Sequence, residues 1–276
     1  MKILLAPFIV LGLMINVAFG QDTKREITKV AGDVYRFQNN FHVNVFIVTG
    51  DGVVVTDPIN AGAAKWLASE IKKRTNQPIS HLVYSHSHGD HASGGAAYGP
   101  VPNVITHANA PDSIDGITPT TRFDDKYSFT HGSKTFELTY LGPGHGTDLI
   151  AMVVQPDNVG FVVDAVSSKR LFYRDFPGAN VDNWINQVRK VESLEFKIFV
   201  GGHGAVGVKS DVSDGLAYLA ALRMAVLQGL KAGKSVDDLS KNIMMEKYKN
   251  WASYGQWRAL NVQGMARHLR ESGAVN

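Results

Sequence analysis

After Tyr84 the chain reads Ser85-His86-Ser87-His88-Gly89-Asp90-His91, which places four potential metal ligands within six positions. Imidazole nitrogens together with a carboxylate suit zinc and other first-row cations. His86 and His88, in alternate positions, can face one cation while Asp90 and His91 turn to a second. Histidine is a rare residue, so four such side chains at the end of an apolar stretch are hard to read as an incidental polar loop. Three further candidates each close an apolar stretch. His145 sits in Leu141-Gly142-Pro143-Gly144-His145-Gly146, Asp164 follows Gly160-Phe161-Val162-Val163, and His203 follows Phe199-Val200-Gly201-Gly202. A carboxylate at the end of an apolar strand is costly unless it is paired or bound to a cation. Singly these three are weak signals, since a lone strand-end histidine is more often a solvated loop residue. With the first four they make seven donors, enough for two cations sharing one carboxylate.

Such a set must be held by strand ends, and the chain supplies them. Val34-Tyr35-Arg36-Phe37, residues 43–49 and residues 53–56 are rich in β-branched and aromatic side chains, with Gly50-Asp51-Gly52 as a turn. Residues 61–74 carry Ala64, Leu67, Ala68 and Ile71 at helical spacing, and residues 79–84 form the strand that ends at the histidine-rich loop. Strand, helix, strand is a βαβ-like unit. Short strands are then expected at 104–107 and 135–141, with 149–155 pairing to 160–164 across Pro156-Asp157-Asn158. An amphipathic helix over 181–194 and a strand over 196–200 complete a loose recurrence of strand, helix, strand and loop histidine. Beyond Lys209 the pattern turns helical, at 211–231, 236–246 and 254–271, with Ser235 as an N-cap. No ligand-like cluster occurs there, and the region reads as a helical appendage of the same domain.

Composition narrows the chemistry. Hydrophobic residues make up 44% of the 276 and charged residues 19%, a globular balance. The formal charge of +3 includes Lys2, and no Lys/Arg run points to nucleic acid or another polyanion. Lys2, the apolar run from Ile3 to Phe19 and the small residues at Ala18-Phe19-Gly20 read as a signal peptide cleaved before Gln21. The uncleaved alternative is an anchor near the lower length limit for spanning ~30 Å of hydrocarbon. The organisation expected is therefore a leader at 1–20, a catalytic unit at 21–209 and a helical extension at 210–276 packed on it, exported to the periplasm or medium. The chain has no cysteine, which removes thiolate nucleophiles and Cys-based zinc sites. It also lacks any Gly-x-Ser-x-Gly turn.

The HxHxDH loop, the Gly-Pro-Gly-His turn, the strand-end aspartate and the Gly-Gly-His occur in the order typical of the metallo-β-lactamase superfamily, which this sequence resembles over residues 27–207. The resemblance implies an α/β fold, a four-layer αβ/βα sandwich with metals at one edge. It implies that His86, His88 and His145 bind the first metal, that Asp90, His91 and His203 bind the second, and that Asp164 bridges them. Two divalent ions are implied, Zn2+ foremost, with Fe or Mn compatible with the same donors. Two cations about 3.5–4 Å apart lower the pKa of a shared water and generate hydroxide near neutral pH. That hydroxide attacks an ester, lactone, thioester or lactam carbonyl, and Asp90 both ligates and orients it.

The resemblance can be narrowed. Phe41-His42 opens a hairpin similar to that of true metallo-β-lactamases, and Asn180 falls where those enzymes often place an asparagine near substrate. Both, with Lys169, are candidates to touch substrate. The lactamase subclass with this layout has cysteine where Asp164 stands and a lysine where Ser167 stands, although Lys169 and Arg170 are near. A bridging aspartate is more similar to glyoxalase II, lactonases and other esterases. Asp57, before Pro58, is expected to hold the metal loop from behind. Tyr84 is either an oxyanion donor or strand packing. His81, His107, His131 and His268 read as surface residues, and Met244-Met245 as helix packing. The competing functions are a β-lactamase proper, a mono-iron sulfur dioxygenase-like enzyme using only the first three histidines, and a periplasmic metal-binding protein without activity. The partner expected is a small carbonyl compound, with neither nucleic acid nor, after leader removal, membrane.

Overall fold

The computed structural model describes residues 23–275. The expected leader and its cleavage point lie outside the described residues. Among the described residues no helix is long and apolar enough to cross a membrane.

Seven strands form the first sheet in sequence order: β1 (Arg25–Ala31), β2 (Val34–Asn39), β3 (His42–Val48), β4 (Val53–Thr56), β5 (Ile79–Val83), β6 (Asn103–His107) and β7 (Thr121–Phe123). The four N-terminal strands form an antiparallel meander, and β4 to β7 run parallel. Alternation along β3 explains why two layers cover this sheet. Val43, Val45 and Ile47 enter the central core, whereas Phe46 enters a second core with Val53 and Val55. Helix α1 (Ala61–Arg74) closes that second core with Ala64, Leu67 and Ile71, the face its spacing predicts. Asn60 caps it, its side chain accepting from the Ala63 amide at 2.9 Å.

The second sheet has six strands in the order β13 (Gly207–Val208), β12 (Ile198–Gly201), β11 (Val159–Val162), β10 (Ile150–Gln155), β9 (Lys134–Tyr140) and β8 (Lys126–His131). The expected hairpin is present, with Met152 opposite Phe161 and Val154 opposite Val159. The inner face of this sheet packs on Val43, Val45 and Ile47, and its outer face on helices α3 (Val181–Glu192) and α4 (Lys209–Lys231). The layers are thus helix, sheet, sheet, helix, the αβ/βα sandwich expected.

Helices α5 (Val236–Asn242) and α6 (Tyr254–Glu271) complete the chain. Leu219, Leu222, Val226, Val262, Met265 and Leu269 lie in the same core cluster as the second sheet. Buried Asn261 of α6 accepts from the Tyr218 hydroxyl at 2.7 Å and donates to the Phe172 carbonyl at 3.0 Å and to that of Arg174. The C-terminal helices are therefore strapped to the 172–174 loop.

Three sequence expectations need correction. β7 and β8 were not evident, because residues 126–131 alternate exposed and half-buried positions on a polar edge. The helix expected to reach residue 246 stops at Asn242; Met245 has φ +52° and Met244 is exposed, so the pair is not helix packing. His107 and His268 are buried, the first stacked on Tyr140 at 3.7 Å and the second 3.1 Å from Asp182.

Candidate metal centre

The loop after β5 turns directly into the one-turn helix α2 (Gly89–Ala92), which carries Asp90 and His91. His145 comes from the turn between β9 and β10, Asp164 from the residues after β11, and His203 from those after β12. All seven converge at one edge of the sandwich. His86, His88 and His145 form one group and Asp90, His91, Asp164 and His203 a second, each with one donor atom per residue within 4.8 Å of the others.

Asp164 touches both groups. Its Oδ2 lies 3.3 Å from His145 Nε2, 3.4 Å from His91 Nε2 and 3.7 Å from His86 Nε2, while Oδ1 lies 3.2 Å from His203 Nε2. Its backbone holds φ +56°, a conformation that costs a non-glycine residue energy and persists where surroundings over-determine it. Burial works against its charge, yet His91, His145 and His203 hold the carboxyl well below the usual range.

Ring tautomers are set from behind. Ser85 donates its backbone N–H to Asp57 Oδ1 at 2.8 Å and its hydroxyl to Oδ2 at 2.6 Å. With that proton committed, Ser85 Oγ accepts from His86 Nδ1 at 2.9 Å. Nε2 of His86 then carries the lone pair, is buried without a hydrogen-bond partner, and faces Asp164. His203 Nδ1 donates to the Phe41 carbonyl at 2.7 Å, so its Nε2 lone pair also faces Asp164. Acceptor opposes acceptor, which is unfavourable unless a cation lies between them. His91 instead sits among three carboxylates that call for positive charge. Burial pushes its pKa down, but Asp164, Asp57 and Asp90 raise it to about 9. The donor set fits divalent metal ions on these grounds.

Asp57 is fully buried behind this loop, as expected, and burial raises its carboxyl to about 6 against the opposing pull of His91 and Ser85. Asp90 is half exposed, and its Oδ2 lies 3.3 Å from His42 Nε2. That contact keeps its carboxyl below the usual range. Tyr84 is buried with its hydroxyl against Gly95, which makes it packing rather than an oxyanion donor.

A cavity of about 540 Å³ opens onto the centre, with Phe41, Phe172, Tyr173 and Trp257 forming aromatic walls around His88, Asp90, His145, Asp164 and His203. Phe41 and His42 line it as expected. Lys169 and Asn180 do not, and both expectations are corrected. Arg170 bridges to Ala252, whereas Lys169 before it sits in a turn with φ +46° and lies on the other side, its Nζ 4.0 Å from Asp211. Asn180 caps α3, its side-chain oxygen accepting from the Asn183 amide at 3.1 Å, and it borders a separate cavity.

Several positioning residues were not evident from sequence. Buried Gln187 accepts the His145 N–H at 2.7 Å and donates to the Gly142 carbonyl at 2.7 Å, so α3 fixes the Gly-Pro-Gly-His turn. A side chain at Gly144 would collide with Gln187. A polar residue on the apolar face of an amphipathic helix was the available signal. Trp257 and Asn261 carried none, because Trp257 meets Arg170 and Asn261 meets Phe172 across more than eighty residues of sequence.

The family described as the metallo-beta-lactamase superfamily matches residues 39–203. The 2,4-dinitroanisole O-demethylase subunit alpha of a Nocardioides strain is 24% identical over 221 residues, 76% of this chain and 67% of that protein. Metallo-beta-lactamase type 2 from Elizabethkingia meningoseptica is 29% identical over 217 residues, 72% of this chain and 86% of that enzyme. Among solved structures, a metallo-beta-lactamase from Pontibacter korlensis superposes with a TM-score of 0.63 at 21% identity, covering 71% of this chain and 99% of its own.

Proposed function

This chain belongs to the metallo-beta-lactamase superfamily and is a hydrolase of that kind, and we propose that it cleaves an ester, lactone or thioester carbonyl with the help of two divalent cations. The observation that carries the proposal is the crowding of acceptor atoms around Asp164, which opposes lone pairs of His86 and His203 and satisfies neither. In this reading His86, His88 and His145 hold one ion, Asp90, His91 and His203 the other, and Asp164 both. Zn2+ suits the nitrogen-rich donor set. Divalent ions bound there act as Lewis acids towards a carbonyl and lower the pKa of a water.

The chain's own residues do the rest. Asp90, kept ionised by His42, points into the cavity and accepts the proton of the attacking water, aligning its oxygen with the carbonyl. Val166, Leu171, Phe172 and Trp257 exclude solvent from the apolar part of the substrate. Ser85 and Gln187 keep His86 and His145 aimed inward. Release of the Met1–Gly20 leader and export are part of the same proposal.

A second reading, β-lactam hydrolysis, is favoured by the relationship to the Elizabethkingia enzyme. Ser167 lines the cavity where an amine would hold a β-lactam carboxylate, so esters and lactones are expected to be the better substrates. Steady-state kinetics of the metal-loaded protein on esters, lactones, thioesters, penicillins and carbapenems tests this. A kcat/KM for any β-lactam far above every ester and lactone would reverse the preference.

A further inference from the structure

Beside the metal-site cavity lies a second one of about 390 Å³, and the two share Phe41 and Arg170. Arg36 and Gln38 of β2 line the second cavity. Among the described residues neither Arg36 nor Arg170 forms an ion pair, although Arg74, Arg122, Arg223 and Arg267 do. Arg36 is 7% exposed and donates to Gln38 Oε1 and the Gly204 carbonyl, each at 2.8 Å, while its Nε is buried without a partner. Among the described residues the Arg170 guanidinium has no hydrogen-bond partner, and it is stacked 4.8 Å from the ring of Trp257. That indole comes from α6, and the Arg170–Ala252 bridge, with the Leu171 amide on the Ala252 carbonyl at 3.1 Å, fixes the backbone. The C-terminal helices thus hold a planar cation at the boundary of the two cavities. Glu26 acts on Arg36 and Asp164 on Arg170 only from beyond ion-pair distance, so holding both guanidiniums there is costly, and the planar fork of each matches the oxygens of a carboxylate or phosphate.

We propose that Arg170 and Arg36 form a subsite for an oxyanion, a carboxylate or phosphate, carried at the end of the substrate remote from the carbonyl that is cleaved. This deepens the hydrolase reading and rests on it for the position of that carbonyl. A substrate lying with its reacting group beside Asp164 passes Phe41 and delivers its charged end to Arg170 first, with Arg36 and Gln38 beyond. The helical extension, absent from the family match at residues 39–203, then acts as a specificity element through Trp257.

The test uses the metal-loaded protein and three aryl esters of one alcohol whose acyl chains end in methyl, carboxylate or phosphonate. The expected result is a kcat/KM at least tenfold higher for a charged ester, expressed in KM and weakened by salt, and the better of the two charged esters identifies the group. Arg170→Gln should collapse this preference by roughly ten- to a hundredfold, the worth of one charge-assisted hydrogen bond. Lys169→Gln should retain the preference. Arg36 is buried and its variants risk misfolding, so Arg170→Gln decides the matter. A preference that survives Arg170→Gln, or no preference in the unaltered protein, overturns the proposal. If no ester is cleaved, the hydrolase reading fails separately, and calorimetric binding of the corresponding amides still judges the subsite. Equal affinity for charged and neutral amides, or charged-amide affinity unchanged in Arg170→Gln, would then overturn it.

Discussion

Ser85 Oγ lies 2.9 Å from His86 Nδ1 and has already given its proton to Asp57, so one hydroxyl determines which nitrogen of His86 faces the metal centre. A three-residue chain from a fully buried carboxylate to a ligand nitrogen orients the ring and raises its basicity. Ser85→Ala should lower affinity for the first ion roughly 10–100-fold, the usual cost of losing such a partner. Ser85→Thr, which restores the hydroxyl, should recover most of it. Chelator competition gives the affinities, and unchanged affinity in Ser85→Ala would remove the relay from the account.

Asp90→Asn should reduce turnover by orders of magnitude while leaving the fold intact, because Asp90 is half exposed and supports no core packing. Circular dichroism and kcat measured together separate the two effects. A variant with near-normal kcat would take the proton-accepting role away from Asp90.

Asn261→Leu should destabilise the protein by about 1–3 kcal/mol, since it strands the buried Tyr218 hydroxyl and frees the Phe172 and Arg174 carbonyls. Denaturant titration measures the loss. The 172–174 loop lines the cavity, so KM should rise as well. A variant of unchanged stability would show that the C-terminal helices are not tied to this loop through Asn261.

Much of this was legible in the sequence. The seven donors stand out because their chemistry resides in residue type and because each ends an apolar strand. The β-branched and aromatic run over residues 43–49 marked a strand, and in the fold Val43, Val45 and Ile47 face one core while Phe46 faces the other. What was hidden depends on long-range partners. Gln187 matters only because α3 packs on the Gly142–His145 turn, and Trp257 only because α6 reaches Arg170. Lys169 and Arg170 are adjacent cations, and only the Ala252 bridge decides which one enters the cavity.

Stability should also fall in acid for a reason remote from the metal centre. His81 stacks on Phe129 at 4.9 Å and shares Ser80 Oγ with His131. Burial, aided by His131, lowers its pKa from 6.5 to about 4. Below pH 6.5 the unfolded chain binds a proton that the folded protein refuses, so this contribution is present above pH 6.5 and is lost as pH falls towards 4. His81→Phe should flatten the decline over that window. Parallel melting curves of the two proteins check it, and identical slopes would contradict it.

Metal content of the purified protein, determined by elemental analysis after anaerobic preparation, bears most directly on the central claim. Two divalent ions per chain are expected from the opposed acceptors on both sides of Asp164, with one retained in an Asp90→Ala, His203→Ala double variant that has lost hydrolytic activity. A reproducible single iron, with Asp90 and His203 dispensable for activity, would contradict the two-ion hydrolase.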